Sequence, residues 1–248
     1  MNSPAAARRR RIEALVEDRS GAVILEALVR KLLESLPGQS GSWELKIRPH
    51  RGLGGLPKDL HQKPLPYLSS LLGLLPAKLR AYQRVLPPGG PDLVLLVCDS
   101  DQKDSETFFR ELLGVCRRLA PDLPLLIGLA VEELESWMLA DREAVLRAYP
   151  EADIAVLDRY QQDSICGTWE VLARAVLGVR AEGLILAGYP AVGMYKAEWA
   201  ERISPYLDPE RNLSPSFHRF RDALLRQFRN PLDRDELRAR LSRDKLPK

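Results

Sequence analysis

Over residues 10–130, short apolar runs that are typical of strands alternate with segments whose apolar residues have helical spacing. The clearest is Leu-Val-Leu-Leu-Val-Cys at 93–98, an uninterrupted apolar run that ends at Asp99 and Asp101. A run without alternation is typical of a strand that is buried on both faces of a parallel sheet. Further strand patterns lie at 11–16, 43–47 and 123–130, and helical spacing of apolar residues lies at about 21–33, 67–85 and 105–119.

This order of elements predicts an α/β protein. Strands that alternate with helices are joined by right-handed crossovers, which place the strands in a parallel sheet flanked by helices. Beyond residue 130 the spacing is mostly helical, with patterns at 141–149, 167–178, 194–206 and 215–228. We therefore predict one domain over residues 10–228, a flexible basic N-terminus at 1–9, and a basic charged helix or tail at 229–248.

Composition is that of an ordinary globular protein. The chain has 248 residues, of which 45% are apolar and 29% are charged. No apolar stretch approaches the roughly 20 residues that span a bilayer. Cys98, Cys116 and Cys166 lack the spacing of a metal site or a disulfide framework, so we expect reduced core thiols. These features predict a cytoplasmic protein without a membrane partner.

Positive charge collects at both ends of the chain. The net charge is only +3, yet residues 211–248 carry eleven Lys or Arg against five Asp or Glu. A second basic cluster runs from Arg8 to Arg11. Two interpretations stay open for these clusters: solvated surface, or contact with the phosphates of a nucleic acid.

Acidic residues follow three of the predicted strands. Glu17 comes after the first strand, Asp99 and Asp101 come after the third, and an acidic run at 132–135 comes after the fourth. In open α/β sheets the ligand crevice lies outside the carboxyl ends of the strands. Carboxylates without nearby His or Cys suit a hard cation, so this edge predicts a site for Mg²⁺ or Mn²⁺.

The acidic run after the fourth strand has two interpretations. Acidic residues favour helix N-termini by about 0.3 to 1 kcal/mol each, and this structural role is the one we expect for Glu132. Glu133 and Glu135 lie at a strand end like the other acids, and we treat them as candidate metal ligands. A structural role is also expected for Ser20, as the N-cap of the first helix. The loop at 49–64 is either functional or disordered, and it lacks the ending of a P-loop.

Together the acidic motifs resemble the toprim (topoisomerase-primase) domain, whose signature pairs a Glu at the first strand end with Asp-x-Asp at the third. Four segments in order look like the toprim-like families of bacterial defence and mobile loci, including RloB-like proteins, which are relatives of the overcoming-lysogenization-defect (OLD) nucleases. They are Val-Glu-Asp-Arg-Ser at 16–20, Cys-Asp-Ser-Asp at 98–101, Glu-Leu-Glu-Ser-Trp-Met-Leu-Ala-Asp at 133–141 and Ser-Pro-Ser-Phe-His-Arg-Phe at 214–220. The resemblance covers residues 10–228 and implies a toprim-like Rossmannoid sheet.

The resemblance implies metal-dependent cleavage of phosphodiester bonds in DNA or RNA. Glu17, Asp99 and Asp101 match the toprim metal ligands. Glu135, with Glu133, matches the additional acid that OLD-type enzymes use for a second metal. Two cations about 3.5 to 4 Å apart stabilise the attacking and leaving oxygens of an in-line displacement.

Two further positions matter to the resemblance. Lys196 falls where such enzymes place a basic residue beside the scissile phosphate. Relatives commonly carry a second carboxylate four residues after the first one, and here that place is Gly21. Three interpretations of this departure stay open: Asp18 supplies the missing oxygen, the second metal is weakly held, or the site binds without cutting.

Two hypotheses for function follow. The first is a metal-dependent nuclease or nuclease subunit of a bacterial defence-type system. The second is a non-catalytic toprim-like binding and assembly subunit, partnered with a separately encoded ATPase of the ABC type, and Gly21 is its best support. A receiver-like phosphoacceptor fits less well, because the acids are spread over three strands. We expect a homodimer, since residues 131–150 and the late helices need cover, and we expect Trp137, Phe217 and Phe220 to be core anchors.

Overall fold

The computed structural model describes residues 9–37, 41–85, 92–189 and 191–229. Within these residues, one parallel sheet contains four strands: β1 (Arg10–Val16), β2 (Trp43–Pro49), β3 (Leu93–Asp99) and β4 (Leu125–Ala130). Their order across the sheet is β2-β1-β3-β4. The direction of winding therefore reverses between β1 and β3, which is where open α/β sheets bind ligands.

Three helices make the crossovers between the strands. They are α1 (Arg19–Glu34), α2 (Leu71–Arg84) and α3 (Ser105–Leu119). Right-handed connections in opposite directions across the sheet place α1 on one face and the other two on the opposite face. Along the fully buried β3, Leu95 and Val97 belong to the core on the α1 side, whereas Leu96 and Cys98 belong to the core under α2 and α3.

The remainder of the described chain is helical, and it covers the face that α1 occupies. Its helices are α4 (Glu135–Leu139), α5 (Arg142–Ala148), α6 (Ile154–Arg159), α7 (Thr168–Leu177), α8 (Ala181–Ala187), α9 (Ala191–Ile203) and α10 (Pro215–Arg229), with 3₁₀ turns at Gly178–Arg180 and Ser204–Tyr206. The ring of Trp137 lies 5.4 Å from the rings of both Phe217 and Phe220, and all three are buried. These features confirm the predicted α/β class, the mostly helical C-terminal half and the three core anchors.

Several predicted boundaries differ from the structure. Helix α2 begins at Leu71 and not near 67, because Ser70 is still extended (φ −75°, ψ 152°). Strand β4 begins at Leu125, after a proline that has no N–H to give to a sheet. Helices α6 and α8 escaped prediction because six or seven residues are too few to establish a helical period.

The cysteine prediction is partly wrong. Cys98 and Cys116 are buried and free, as expected, but Cys166 is exposed and therefore is not a core thiol. Cys166 lies in the irregular segment before α7, where no apolar pattern indicated its surroundings. Among the described residues no helix is both long and apolar enough to cross a bilayer.

Arg10, from the N-terminal basic cluster, has a structural role at the amino edge of the sheet. Its Nη1 donates a hydrogen bond of 3.0 Å to the carbonyl of Gln227, and its guanidinium lies 4.1 Å from the ring centre of Phe228. A seven-residue strand separates the two edges of the sheet by about 20 Å. The start of β1 and the end of α10 therefore lie away from the acidic edge. Of the predicted N-terminal segment at 1–9 and the predicted helix or tail at 229–248, residues 1–8 and 230–248 lie outside the described residues.

Candidate functional site

Glu17 and Asp99 occupy the carboxyl edge of the sheet, on the two strands between which the winding reverses. The register pairs Val16, at the end of β1, with Val97 of β3. Asp99 is only 7% exposed, and its Oδ1 accepts a hydrogen bond of 2.9 Å from the backbone N–H of Leu134. The segment that follows β4 therefore fixes the Asp99 carboxylate at the point where a ligand is expected.

The segments after β3 and β4 are joined side by side. The N–H of Asp101 donates to the carbonyl of Glu132 at 2.9 Å, and the N–H of Glu132 donates to Oγ of Ser100 at 3.0 Å. Asp101 and Glu132 have φ of 49° and 59°, a left-handed conformation that is uncommon outside glycine. The Asp101 carboxylate is exposed and lies 3.8 Å from Nζ of Lys103, so it forms the solvent side of the site.

Lys196 reaches the acidic edge from α9. It lies in the buried stripe of that helix with Val192 and Trp199, and it is 4% exposed. Its Nζ lies 3.1 Å from Oε2 of Glu135 and 3.4 Å from Oε1 of Glu133. The structure thus brings Lys196 and both glutamates together, although about sixty residues separate the lysine from the glutamates.

Asp99 is a buried acid, Glu17 is a half-buried acid with one buried oxygen, and both have too little positive charge around them. Burial and the charge of Asp101 raise the pKa of Glu17 to about 7. Burial and the charge of Glu17 raise the pKa of Asp99 well above its usual range. Oε2 of Glu17 is buried without a hydrogen-bond partner among the described residues. An unsatisfied buried polar group costs about 1 to 3 kcal/mol, so a proton or a cation would stabilise this edge.

The Lys196 ammonium is charged in these surroundings. Burial lowers its pKa, but the carboxylates of Glu135, Glu133 and Asp99 outweigh burial and raise that pKa well above the usual value. Burial and the charge of Glu135 raise the pKa of Glu133 to about 8, against the opposing effect of Lys196. The single positive charge of Lys196 is therefore shared among several carboxylates and does not neutralise the site.

Asp18 caps α1, and the prediction that Ser20 is the N-cap is wrong. The Asp18 Oδ1 accepts a hydrogen bond of 2.7 Å from the N–H of Gly21 and one of 2.9 Å from Oγ of Ser20. Oδ1 of Asp18 is therefore engaged by the helix. A Cβ at position 21 would lie 2.9 Å from Cδ1 of Leu134, so a carboxylate there would first have to displace that leucine.

The first residues of the loop predicted at 49–64 lie beside the end of β1. The N–H of Gly52 donates to the carbonyl of Glu17 at 3.1 Å, and a backbone hydrogen bond from Leu53 acts on the Glu17 carboxylate. Gly54 has φ of +63°, and a Cβ there would lie 2.3 Å from Oγ of Ser70. The exposed Arg51 precedes Gly52 in the chain and therefore lies beside the acidic edge.

Glu132 has the structural role predicted for it, but at a different helix. Its carboxylate accepts hydrogen bonds of 3.1, 2.9 and 2.9 Å from the N–H groups of Cys166, Gly167 and Thr168, and a further one from the Thr168 hydroxyl. These groups lie at the N-terminus of α7, where the helix dipole favours negative charge. The expected helix directly after β4 begins only at Glu135.

Two of the motifs behind the family resemblance also have structural roles. Asp141, 1% exposed, receives hydrogen bonds of 3.1 and 3.0 Å from the guanidinium of Arg211. In the 214–220 segment, Ser214 and Ser216 bind the carboxylate of Asp163, through Oγ at 2.7 Å and backbone N–H at 2.6 Å respectively. The two motifs therefore hold the helical half against the segment that carries Glu135.

The sequence interpretation missed three residues around the site. The Ser20 hydroxyl lies 3.3 Å from Oε1 of Glu135, Oε2 of Glu170 is buried without a partner among the described residues, and the charges of Glu133 and Glu135 act on Tyr189. Only Ser20 carried a signal, because it lies in the first conspicuous motif. The other two, Glu170 on α7 and Tyr189 between α8 and α9, reach the site only through tertiary packing.

The donors at this edge fit a hard divalent cation by their chemistry. Carboxylate oxygens are the only donors that Glu17, Asp99 and Asp101 offer. Oε2 of Glu17 has no hydrogen-bond partner within the described chain. In the described residues, however, no three His, Cys, Asp or Glu side chains are arranged to hold a metal ion as they stand. Because like charges repel, a cation would have to draw these side chains together.

No protein-family model, no curated protein and no solved structure matches this chain. We therefore infer its function from its own residues and their geometry.

Proposed function

We propose that this protein is a metal-dependent, phosphodiester-cleaving nuclease or nuclease subunit of the toprim-like class. The observation that carries the proposal lies at the reversal point of the sheet: Asp99 is buried there, and one oxygen of the half-buried Glu17 is buried without a partner in the described chain. Glu17, Asp99 and Asp101 are the proposed ligands of Mg²⁺ or Mn²⁺. When bound, that cation supplies positive charge to the phosphate and activates the attacking water.

Each side chain has a separate task in this proposal. Asp99 is fixed by the Leu134 N–H and offers a carboxylate of defined orientation. Asp101 lies at the exposed rim, where it is free to adjust. Lys196 presents a charged ammonium to the negative charge that grows on the phosphate oxygens in the transition state.

A nucleic acid, DNA or RNA, is the proposed substrate class. The exposed Arg51 and Lys103 lie on the segments that border the acidic edge, and they suit the phosphates on either side of a cleaved bond. We also propose the cytoplasm as the location, and a homodimer or a separately encoded ABC-type ATPase as further partners.

The test is cleavage of supercoiled plasmid and of single-stranded RNA, with Mg²⁺ or Mn²⁺ and with a chelator. We expect Asp99→Asn and Glu17→Gln to lower the rate by at least about 100-fold with folding intact. The matched control is Glu111→Gln, which removes an exposed acid of α3. Cleavage by the Asp99→Asn variant at the wild-type rate would refute the assignment.

A second candidate function is a non-catalytic assembly subunit. Gly21 in place of an acid, and carboxylates that are not yet arranged around an ion, favour it. This function predicts inert wild-type protein under all metal conditions, together with partner assembly that survives Asp99→Asn and is measured by size-exclusion chromatography.

A further inference from the structure

We propose that the Lys196 ammonium is a built-in cation that takes the place of a second metal ion, so that the site binds one divalent cation per chain. This inference rests on the proposed function, because it concerns the number of ions in the same site. It replaces the expectation that Glu133 and Glu135 ligate a second metal.

The first argument is that the oxygens a second ion needs already have a cation. Nζ of Lys196 lies 3.1 Å from Glu135 and 3.4 Å from Glu133. The Glu135 side chain is 1% exposed and that of Lys196 is 5% exposed, so water screens this ion pair only weakly. A divalent ion at these glutamates would have to displace the ammonium or share their oxygens with it.

The second argument is that Lys196 cannot easily withdraw. Lysine side chains ordinarily extend their charge to the surface. Here the residue lies one turn from Trp199, which is 1% exposed, on a helix face that packs against α1. Withdrawal would leave the buried Glu135 and the half-buried Glu133 without their countercharge, a change that is strongly unfavourable.

The third argument is that the α1 side of this position offers few ligands. Gly21 has no side chain, and a Cβ there would meet Leu134 at 2.9 Å. Oδ1 of Asp18 accepts hydrogen bonds from the Gly21 N–H and the Ser20 hydroxyl. A monovalent ammonium with two carboxylate partners needs no further acid, whereas a second hard divalent ion would take six or more oxygen ligands.

A built-in cation changes what the site can do. The positive charge beside the phosphate would be present at any metal concentration, because it is covalently part of the chain. Metal dependence would then follow the occupancy of a single ion, without the cooperativity of a two-ion site.

The test counts Mn²⁺ ions bound per full-length chain, by electron paramagnetic resonance of free Mn²⁺ and by isothermal titration calorimetry. We expect one ion for the wild type. Lys196→Ala should bind a second ion, more weakly than the first, since it leaves both glutamates without their countercharge and water can supply the oxygen ligands that the α1 side does not offer. Lys46→Ala is the matched control, because that lysine also pairs with a carboxylate, that of Glu44, but is 51% exposed on β2, and it should still bind one.

The outcomes separate this inference from the proposed function. Two ions in the wild type, or one ion in a folded Lys196→Ala, would overturn the built-in cation and leave a metal-dependent nuclease intact. No ion in either protein would overturn the proposed function. If Lys196→Ala does not fold, Lys196→Met, which keeps the apolar stem of the side chain, takes its place in the test. The number of Mn²⁺ ions bound by the wild type tests the inference independently of both variants.

Discussion

Glu132 and Glu17 are both acidic residues that follow parallel strands, and their surroundings differ completely. Glu132 accepts hydrogen bonds from three backbone N–H groups and one hydroxyl at the start of α7. Glu17 has a buried oxygen without a partner in the described chain and a pKa raised to about 7. The chain itself satisfies the first carboxylate and leaves the second to a proton or a cation.

The same contrast separates other acids of the C-terminal half. Asp141 is nearly inaccessible, yet the N–H groups of Ala144 and Asp208 donate to it at 3.1 and 2.7 Å beside the guanidinium of Arg211. Burial alone therefore does not identify a functional acid in this protein. The number of donors that face each carboxylate separates Asp141 and Glu132 from Glu17, and substitutions test this difference.

The largest expected effect is at Asp141. Asp141→Ala removes two backbone hydrogen bonds and the partner of Arg211, so we expect the free energy of unfolding to fall by about 3 kcal/mol. Urea unfolding followed by circular dichroism measures it. Asp222→Ala, an exposed acid on α10, is the control and should change stability little. A loss below about 1 kcal/mol would mean that buried acids are not distinguished by their donors.

The next effect is at Glu132. In Glu132→Gln the amide NH₂ faces N–H donors that previously met a carboxylate, so we expect a loss of about 2 kcal/mol. Protection of the amides at 166–168 from hydrogen exchange should fall with it. Unchanged protection would show that α7 begins without help from Glu132.

Glu17 should respond with the opposite sign. In the metal-free protein at pH 8, Glu17→Gln removes a carboxylate that repels Asp99 and Asp101, so we expect a gain in stability of about 1 kcal/mol. The same change should weaken stabilisation by Mn²⁺, which thermal unfolding measures with and without the ion. A metal-free variant less stable than the wild type would place Glu17 among the structural acids.

The sequence sufficed for the position of the acidic edge, for a physical reason. Parallel strands end at a common edge, so Glu17 and Asp99 could be placed together from strand order alone. The partners of Glu132 lie more than thirty residues further along the chain, and no local pattern connects them. Sequence reasoning therefore found the acids and could not divide them into structural and functional ones.

Lys196 shows a signal that was present but ambiguous. Its position four residues after Val192 and three before Trp199 places a lysine inside an apolar helical stripe, which is unfavourable without partners. Its partners, Glu133 and Glu135, become apparent only when α9 packs beside α1 and α4. The family resemblance named the residue, and tertiary packing supplies its ion pairs.

The smallest expected effect is on how the free energy of unfolding depends on pH. It distinguishes Glu17 from acids such as Glu132, whose carboxylates the chain itself satisfies. The Glu17 carboxyl has an ordinary pKa of 4.5 and a folded pKa of about 7. Between these values the unfolded chain has released the proton that the folded chain keeps, so stability falls as pH rises and the loss is complete above about pH 7. We expect a difference in slope of about 0.5 kcal/mol per pH unit between wild type and Glu17→Gln, after solvent screening.

Urea titrations from pH 5 to pH 8 in chelator measure this slope, and parallel curves would contradict it. Saturating Mg²⁺ should reverse the trend, because a cation binds the ionised carboxylate and withdraws the advantage of the proton.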